Sequence, residues 1–161
     1  MGFSPSVQID LGARGKAFGQ VVFPLSETWE GQSEIVLPAC VIANGRGPTV
    51  TLWGANPGDE YEGPVVLGQI ARELDPAAVE GRLIILPTIN PPALLAGRRN
   101  SAIDGKNMNR VWPGDPNGSI TDRIVGWLDR TVLAEADVLM DLHTGCNALE
   151  LIPMSMCHHT E

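Results

Sequence analysis

The sequence predicts an α/β fold, a mostly parallel sheet flanked by helices and preceded by a short β-rich N-terminal segment. Three observations carry that prediction. Short apolar and β-branched runs broken by Gly and Pro fill the chain before residue 44, strand-like runs then alternate with helical spacing, and polar clusters follow directly behind three of the predicted strands. The turn cluster Asn44-Gly45-Arg46-Gly47-Pro48 separates the two patterns, so the expected division is residues 1–43 and residues 44–161.

In the N-terminal segment, VQIDL, AFGQVVFPL and EIVLPACVIA read as three strands joined by turns. Thr49 to Trp53 (TVTLW) is a continuous run of buried-strand type that ends in the Gly-rich loop Gly54 to Gly63. From Pro64, which suits a helix's first turn, Val65, Val66, Leu67, Ile70, Ala71 and Leu74 recur at helical spacing. Arg82 to Leu86 (RLIIL) is a second buried strand. It runs into Thr88-Ile89-Asn90-Pro91-Pro92, a stretch expected to exclude helix and central strand, so a long loop is predicted from about Pro91 to Gly118. Connections of that length in compact domains usually bind something. Ser119 then caps a helix carrying Ile120, Ile124, Trp127, Leu128 and Val132, and Asp137 to His143 gives the third buried strand. Ligands of such a sheet sit beyond the carboxyl ends of its strands.

A chain of 161 residues is one domain's worth and hides roughly 70% of its unfolded surface, so folding alone demands no metal or disulfide. Lys and Arg number 11 against 19 Asp and Glu, a net charge of -8 that repels nucleic acid and anionic membrane surfaces and leaves a small molecule as the expected partner. The start lacks an apolar signal region and no run approaches the roughly 20 apolar residues of a membrane span, so a cytoplasmic protein is expected. Cys40, Cys146 and Cys157 show no CxxC spacing and read as reduced thiols. Trp29, Trp53, Trp112 and Trp127 read as packing groups, with Trp112 placed to line a pocket; His158 and His159 read as exposed.

Three polar clusters, Gly54 to Gly63, Arg98 to Arg110 and Asp141 to Gly145, should converge at one edge of the sheet. Glu60 and His143 brought together there can give zinc an oxygen and a nitrogen, although a catalytic zinc wants three protein ligands. Each residue alone has a plainer reading: Glu60 beside the first turn of the following helix, His143 as a hydrogen-bonded core histidine. Cys146 near His143 lacks a recognisable third member for a nucleophilic triad, and no phosphate-binding glycine pattern is present.

Taken in order, GANPGDEYEG, then Arg99, Asp104, Asn107, Asn109 and Arg110 followed by Trp112-Pro113-Gly114, then DLHTG, make the chain similar to the succinylglutamate desuccinylase/aspartoacylase family from about residue 44 to 156. That resemblance implies a zinc carboxypeptidase-like fold and hydrolysis of the amide of an N-acyl amino acid by zinc-activated water. It puts Glu60 and His143 on zinc-ligand positions, assigns Arg99 to polarising the scissile carbonyl, and assigns Asn109 and Arg110 to the substrate's α-carboxylate. The loop SAIDGKNMNR resembles bacterial deacetylases of acetylated diaminobutyrate.

Two departures from the family pattern carry expectations of their own. The remaining first-motif ligand position is Pro57, which has no donor atom, so zinc is expected to be weak or absent. The family's catalytic glutamate lies well beyond the third motif, whereas this chain runs 18 residues past His143 with Glu150 and Glu161 as its only carboxylates there. A truncated sheet is therefore expected, with an exposed edge through which copies could pair. The alternative to an impaired hydrolase is a non-catalytic remnant or binding module that keeps the fold without zinc.

Overall fold

The computed structural model describes residues 4–25 and 34–158. Trp29, His159 and Glu161, named above, lie outside the described residues. Six strands form one sheet: β1 Ser6–Val7, β2 Gly15–Pro24, β3 Glu34–Asn44, β4 Thr49–Gly54, β5 Gly81–Leu86 and β6 Val138–Leu142, in the spatial order β1-β2-β3-β5-β4-β6. β5, β4 and β6 run parallel, as strand–helix alternation dictates. β1, β2 and β3 are antiparallel neighbours, and β3 joins the same sheet by pairing antiparallel with β5.

VQIDL contributes little strand, for pairing stops at Val7. Asp10 turns the chain instead: its Oδ1 accepts from Gly12 N at 2.8 Å and its carbonyl from Ala13 N at 3.1 Å.

The helices sit on opposite faces. α1 (Glu62–Glu73) buries Leu67 and Ala71 against Cys40, Ile42 and Ile85, while α3 (Ile120–Trp127) buries Ile124 against Phe23, Trp53, Ile84 and Leu86. Ile84 and Leu86 face one layer and Ile85 the other, the period-2 alternation of a strand covered on both sides. The expected Ser119 cap is present as a capping box, with Ser119 N donating to Asp122 Oδ2 at 2.8 Å. Beyond Trp127 the chain continues as a π-helical segment, Leu128–Val132, that buries both its ends.

The long segment after β5 is not all loop. α2 (Pro91–Ala96) begins at the two prolines thought to exclude it. Proline is excluded from helix interiors, but here both occupy the first turn, where no intrahelical partner awaits their missing N–H. Asn90 caps that turn, accepting from Ala93 N at 3.4 Å, and Gly97 ends it in the left-handed region at φ 59°. A 3₁₀ turn, Met108–Arg110, anchors the far end through fully buried Met108.

β6 is an edge strand, and Val138, Leu139 and Met140 are 43%, 40% and 53% exposed. Among the described residues no helix is long and apolar enough to cross a membrane.

Candidate metal and carboxylate site at the strand ends

The parallel register sets Trp53 of β4 beside Leu86 of β5 and Asp141 of β6, so the three strands end almost level and their following loops start from one rim. Ile89 N donates to Gly54 O at 3.1 Å, drawing the β5 loop over β4. Gly58 lets the first-motif loop lie on α2: a Cβ there would stand 2.1 Å from the carbonyl carbon of Ala93. Pro57 and Glu60 are buried in this loop, and Glu60 is carried back toward β6 by its backbone bond to Pro57 O.

Glu60 and His143 meet. Glu60 Oε2 lies 3.0 Å from His143 Nδ1 and accepts from Thr144 N at 2.8 Å, while Cys146 Sγ donates to Oε1 at 3.4 Å. Glu60 therefore serves the β6 loop and not the first turn of α1. Its side chain is 5% exposed and that of His143 is 40% exposed, so a buried carboxylate faces an open imidazole. On the other ring edge, His143 Nε2 lies 2.9 Å from Asp141 Oδ2. The hydrogen bond to Asp141 holds the His143 pKa above its ordinary value; burial opposes this, and the charges of Asp141 and Glu60 reinforce it.

Asn56 ties the three motifs together. Its Nδ2 lies 2.5 Å from Asn109 Oδ1 and 3.1 Å from Asp141 Oδ2, and its backbone carbonyl accepts from Asn90 Nδ2 at 3.0 Å. Asn109 is half-buried; Arg110 is exposed and returns Nη1 to the Asn109 carbonyl at 3.0 Å. Arg99 is exposed, and its charge opposes the rise in the Cys146 pKa. Thus Glu60 and His143 meet directly, Asn109 joins them through Asn56 and Asp141, and Arg99 and Arg110 are exposed. Asn56, Asp141 and Cys146 complete the cluster; Asn56 was legible only as a neighbour of Pro57.

Burial first, then its bond to Glu60 and the charge of Asp59, push the Cys146 thiol pKa up. Ala55 (φ 53°) and Cys146 (φ 57°) are the non-glycine residues with positive φ among the described residues, and both stand in these strand-end loops. Such strain persists where surrounding structure fixes the backbone. Trp112 stacks on Trp53 at 5.6 Å beneath the rim, and Trp127 meets Phe23 edge-on at 6.0 Å. A surface groove of about 360 Å³ beside Val66, Ile70 and Leu74 is lined by none of these polar residues, so the chemistry and not the concavity marks the site.

The donor set does not fit a three-ligand zinc centre. Pro57 offers no donor, Glu60 Oε2 and His143 Nδ1 are engaged with each other, and among the described residues no three His, Cys, Asp or Glu side chains are placed to hold a metal ion. Asn56 Oδ1, Asp59 Oδ1 and Asp141 Oδ1 are buried without a partner, which leaves the site rich in acceptors and poor in donors.

Comparison with known proteins decides the family. Residues 46–161 match the succinylglutamate desuccinylase/aspartoacylase catalytic domain. The chain belongs to this family. It is 40% identical over 153 residues to N-alpha-acetyl-L-2,4-diaminobutyric acid deacetylase from Halomonas elongata, covering 95% of this chain and 45% of that enzyme. Among solved structures it superposes on the product-bound ectoine utilization protein EutE (DoeB) from Ruegeria pomeroyi with a TM-score of 0.83 and 44% identity, covering 88% of this chain and 43% of that one. A succinylglutamate desuccinylase from Silicibacter sp. gives 0.84 and 43% identity over the same shares. The chain therefore spans less than half the length of these relatives, and its sheet and flanking helices are those of the deacylase fold.

Proposed function

We propose that this chain supplies the substrate-gripping part of a hydrolase that removes an acyl group from an N-acyl amino acid. The single observation supporting the reading is the convergence of Glu60, His143 and Asn109 at one rim, from three separate strand-end segments. Arg110 and Asn109 hold the α-carboxylate, the guanidinium by charge and the carboxamide by its N–H groups. Arg99 polarises the acyl carbonyl. The relative that deacetylates N-acetyl-diaminobutyrate makes a short acyl group on a small amino acid the substrate class to try first.

Zinc is the cofactor that the family resemblance implies, with Glu60 and His143 on two of its ligand positions. This chain is one ligand short, so zinc there is weak or absent and hydrolysis is impaired. A cytoplasmic location and the residue 43/44 division belong to the same proposal. A second reading, a binding module without catalysis, is favoured by Pro57 alone.

The experiment is to add N-acetyl and N-succinyl amino acids to the zinc-supplemented chain, following binding by titration and free amine by derivatisation. Binding with amine release supports the hydrolase and binding without release supports the module. Absence of binding overturns both.

A further inference from the structure

We propose that Asn56 is a positioning residue that fixes the polarity of the Asn109 carboxamide, turning its NH₂ outward so that the rim selects a carboxylate over a neutral amide. The inference rests on the reading of Asn109 and Arg110 as carboxylate contacts.

Asp141 Oδ2 accepts from Asn56 Nδ2 at 3.1 Å. Asn56 must present its NH₂ to it, because its oxygen would set two acceptors 3.1 Å apart. The same Nδ2 lies 2.5 Å from the Asn109 side chain, and a committed donor obliges that atom to be the oxygen. Asn109 Oδ1 is thereby consumed inward. Its Nδ2 has no partner among the described residues, nor does it belong to the buried atoms without one, so it is the end left for solvent or ligand. Polarity thus alternates from acceptor to NH₂ to carbonyl to NH₂ between Asp141 and the surface.

The relay is rigid. Asn56 is 2% exposed, and Asn90, itself 1% exposed, grips its backbone carbonyl while capping α2. The orientation leaves Asn56 Oδ1 buried without a partner, so the carboxylate on the other side, and no bond made by that oxygen, decides it. Arg110 Nη1 donates to the Asn109 backbone carbonyl at 3.0 Å, so a cation is held on the same residue.

Two measurements on the isotopically labelled 161-residue chain test this. In the free protein, amide exchange by NMR should find the Asn56 NH₂ protected and the Asn109 NH₂ exchanging freely with water; the reverse pattern overturns the proposal without any variant. For recognition, an N-acetyl amino acid and its α-carboxamide are titrated into wild type and Asn56→Leu. Leucine removes the committed NH₂ without setting a second carboxylate beside Asp141, so the Asn109 carboxamide can present either end and the preference for the acid over the amide should fall by about three-fold or more. A merely structural loss would weaken both ligands alike and leave the ratio unchanged, which overturns the proposal. If wild type binds neither ligand, the carboxylate-site reading falls and the selectivity with it, while the exchange pattern still decides the carboxamide's polarity.

Discussion

Glu60 and His143, 83 residues apart in the chain, stand with Oε2 and Nδ1 3.0 Å from one another across the ends of β4 and β6. Each group uses on the other an atom that could ligate a cation. A third donor from the first-motif loop would compete for that arrangement, and Pro57 removes it.

Replacing the missing donor is therefore the first test. Pro57→His should raise zinc affinity by about 100-fold or more, since loss of even a supporting group beyond the ligands costs 10- to 100-fold. Calorimetric titration with zinc, checked by metal content after dialysis, measures it. Equal zinc uptake by wild type and variant would remove Glu60 and His143 from the ligand positions.

Arg110 carries the second prediction. A lysine keeps the charge but loses the planar fork, so Arg110→Lys should weaken binding of an N-acyl amino acid by roughly ten-fold, within the range of a charge-assisted hydrogen bond. Arg98, also exposed and a few residues after α2, serves as the control, and Arg98→Lys should leave the Kd unchanged.

The fold was legible where periodicity had one meaning. TVTLW and RLIIL could bury both faces only inside a covered sheet, and Leu67 and Ala71 could share a helix face only at 3.6-residue spacing. It was illegible where one residue type has two meanings: Pro91 and Pro92 read as helix breakers, whereas their position behind Asn90 makes them a first turn. At the site, the meeting of Glu60 and His143 followed from polar clusters behind two strands, whereas Asn109 and Arg110 entered through the family resemblance. Asn56 came by neither route, because its role follows from a partner 53 residues away and another 85 residues away. Hydrogen-bond polarity has no signature in local sequence.

The β6 edge gives the third prediction. Leu139 and Met140 point to opposite faces of β6, which pairs with β4 on one side and is the sheet's edge on the other, and both are exposed, so this edge is where copies of the chain are expected to associate. Met140→Lys should shift sedimentation toward monomer at concentrations where wild type associates. An unchanged distribution would place any association elsewhere.

The last prediction concerns acid stability and rests on Asp104, which clamps the second-motif segment onto the start of α3. Asp104 Oδ2 accepts from Ser119 Oγ at 2.6 Å and Thr121 N at 2.9 Å, and Oδ1 accepts from Thr121 Oγ1 at 2.8 Å. Burial pushes its pKa up, but the bonds from Ser119, from the backbone and hydroxyl of Thr121 and from Ser101 outweigh it and bring the value from 3.8 to about 2. A carboxyl whose folded value is depressed contributes stability that is present above its unfolded value and lost as pH falls through the folded one. The window here is therefore about pH 4 down to pH 2. Asp104→Asn loses the charge and an acceptor, so urea unfolding at neutral pH should show a loss of about 1 to 3 kcal/mol. The variant should also lose less stability than wild type between pH 4 and 2, the remaining slope belonging to Asp122 and Glu62, whose values are also lowered. Parallel stability curves for the two proteins across that window would show that Asp104 does not anchor the segment by its charge.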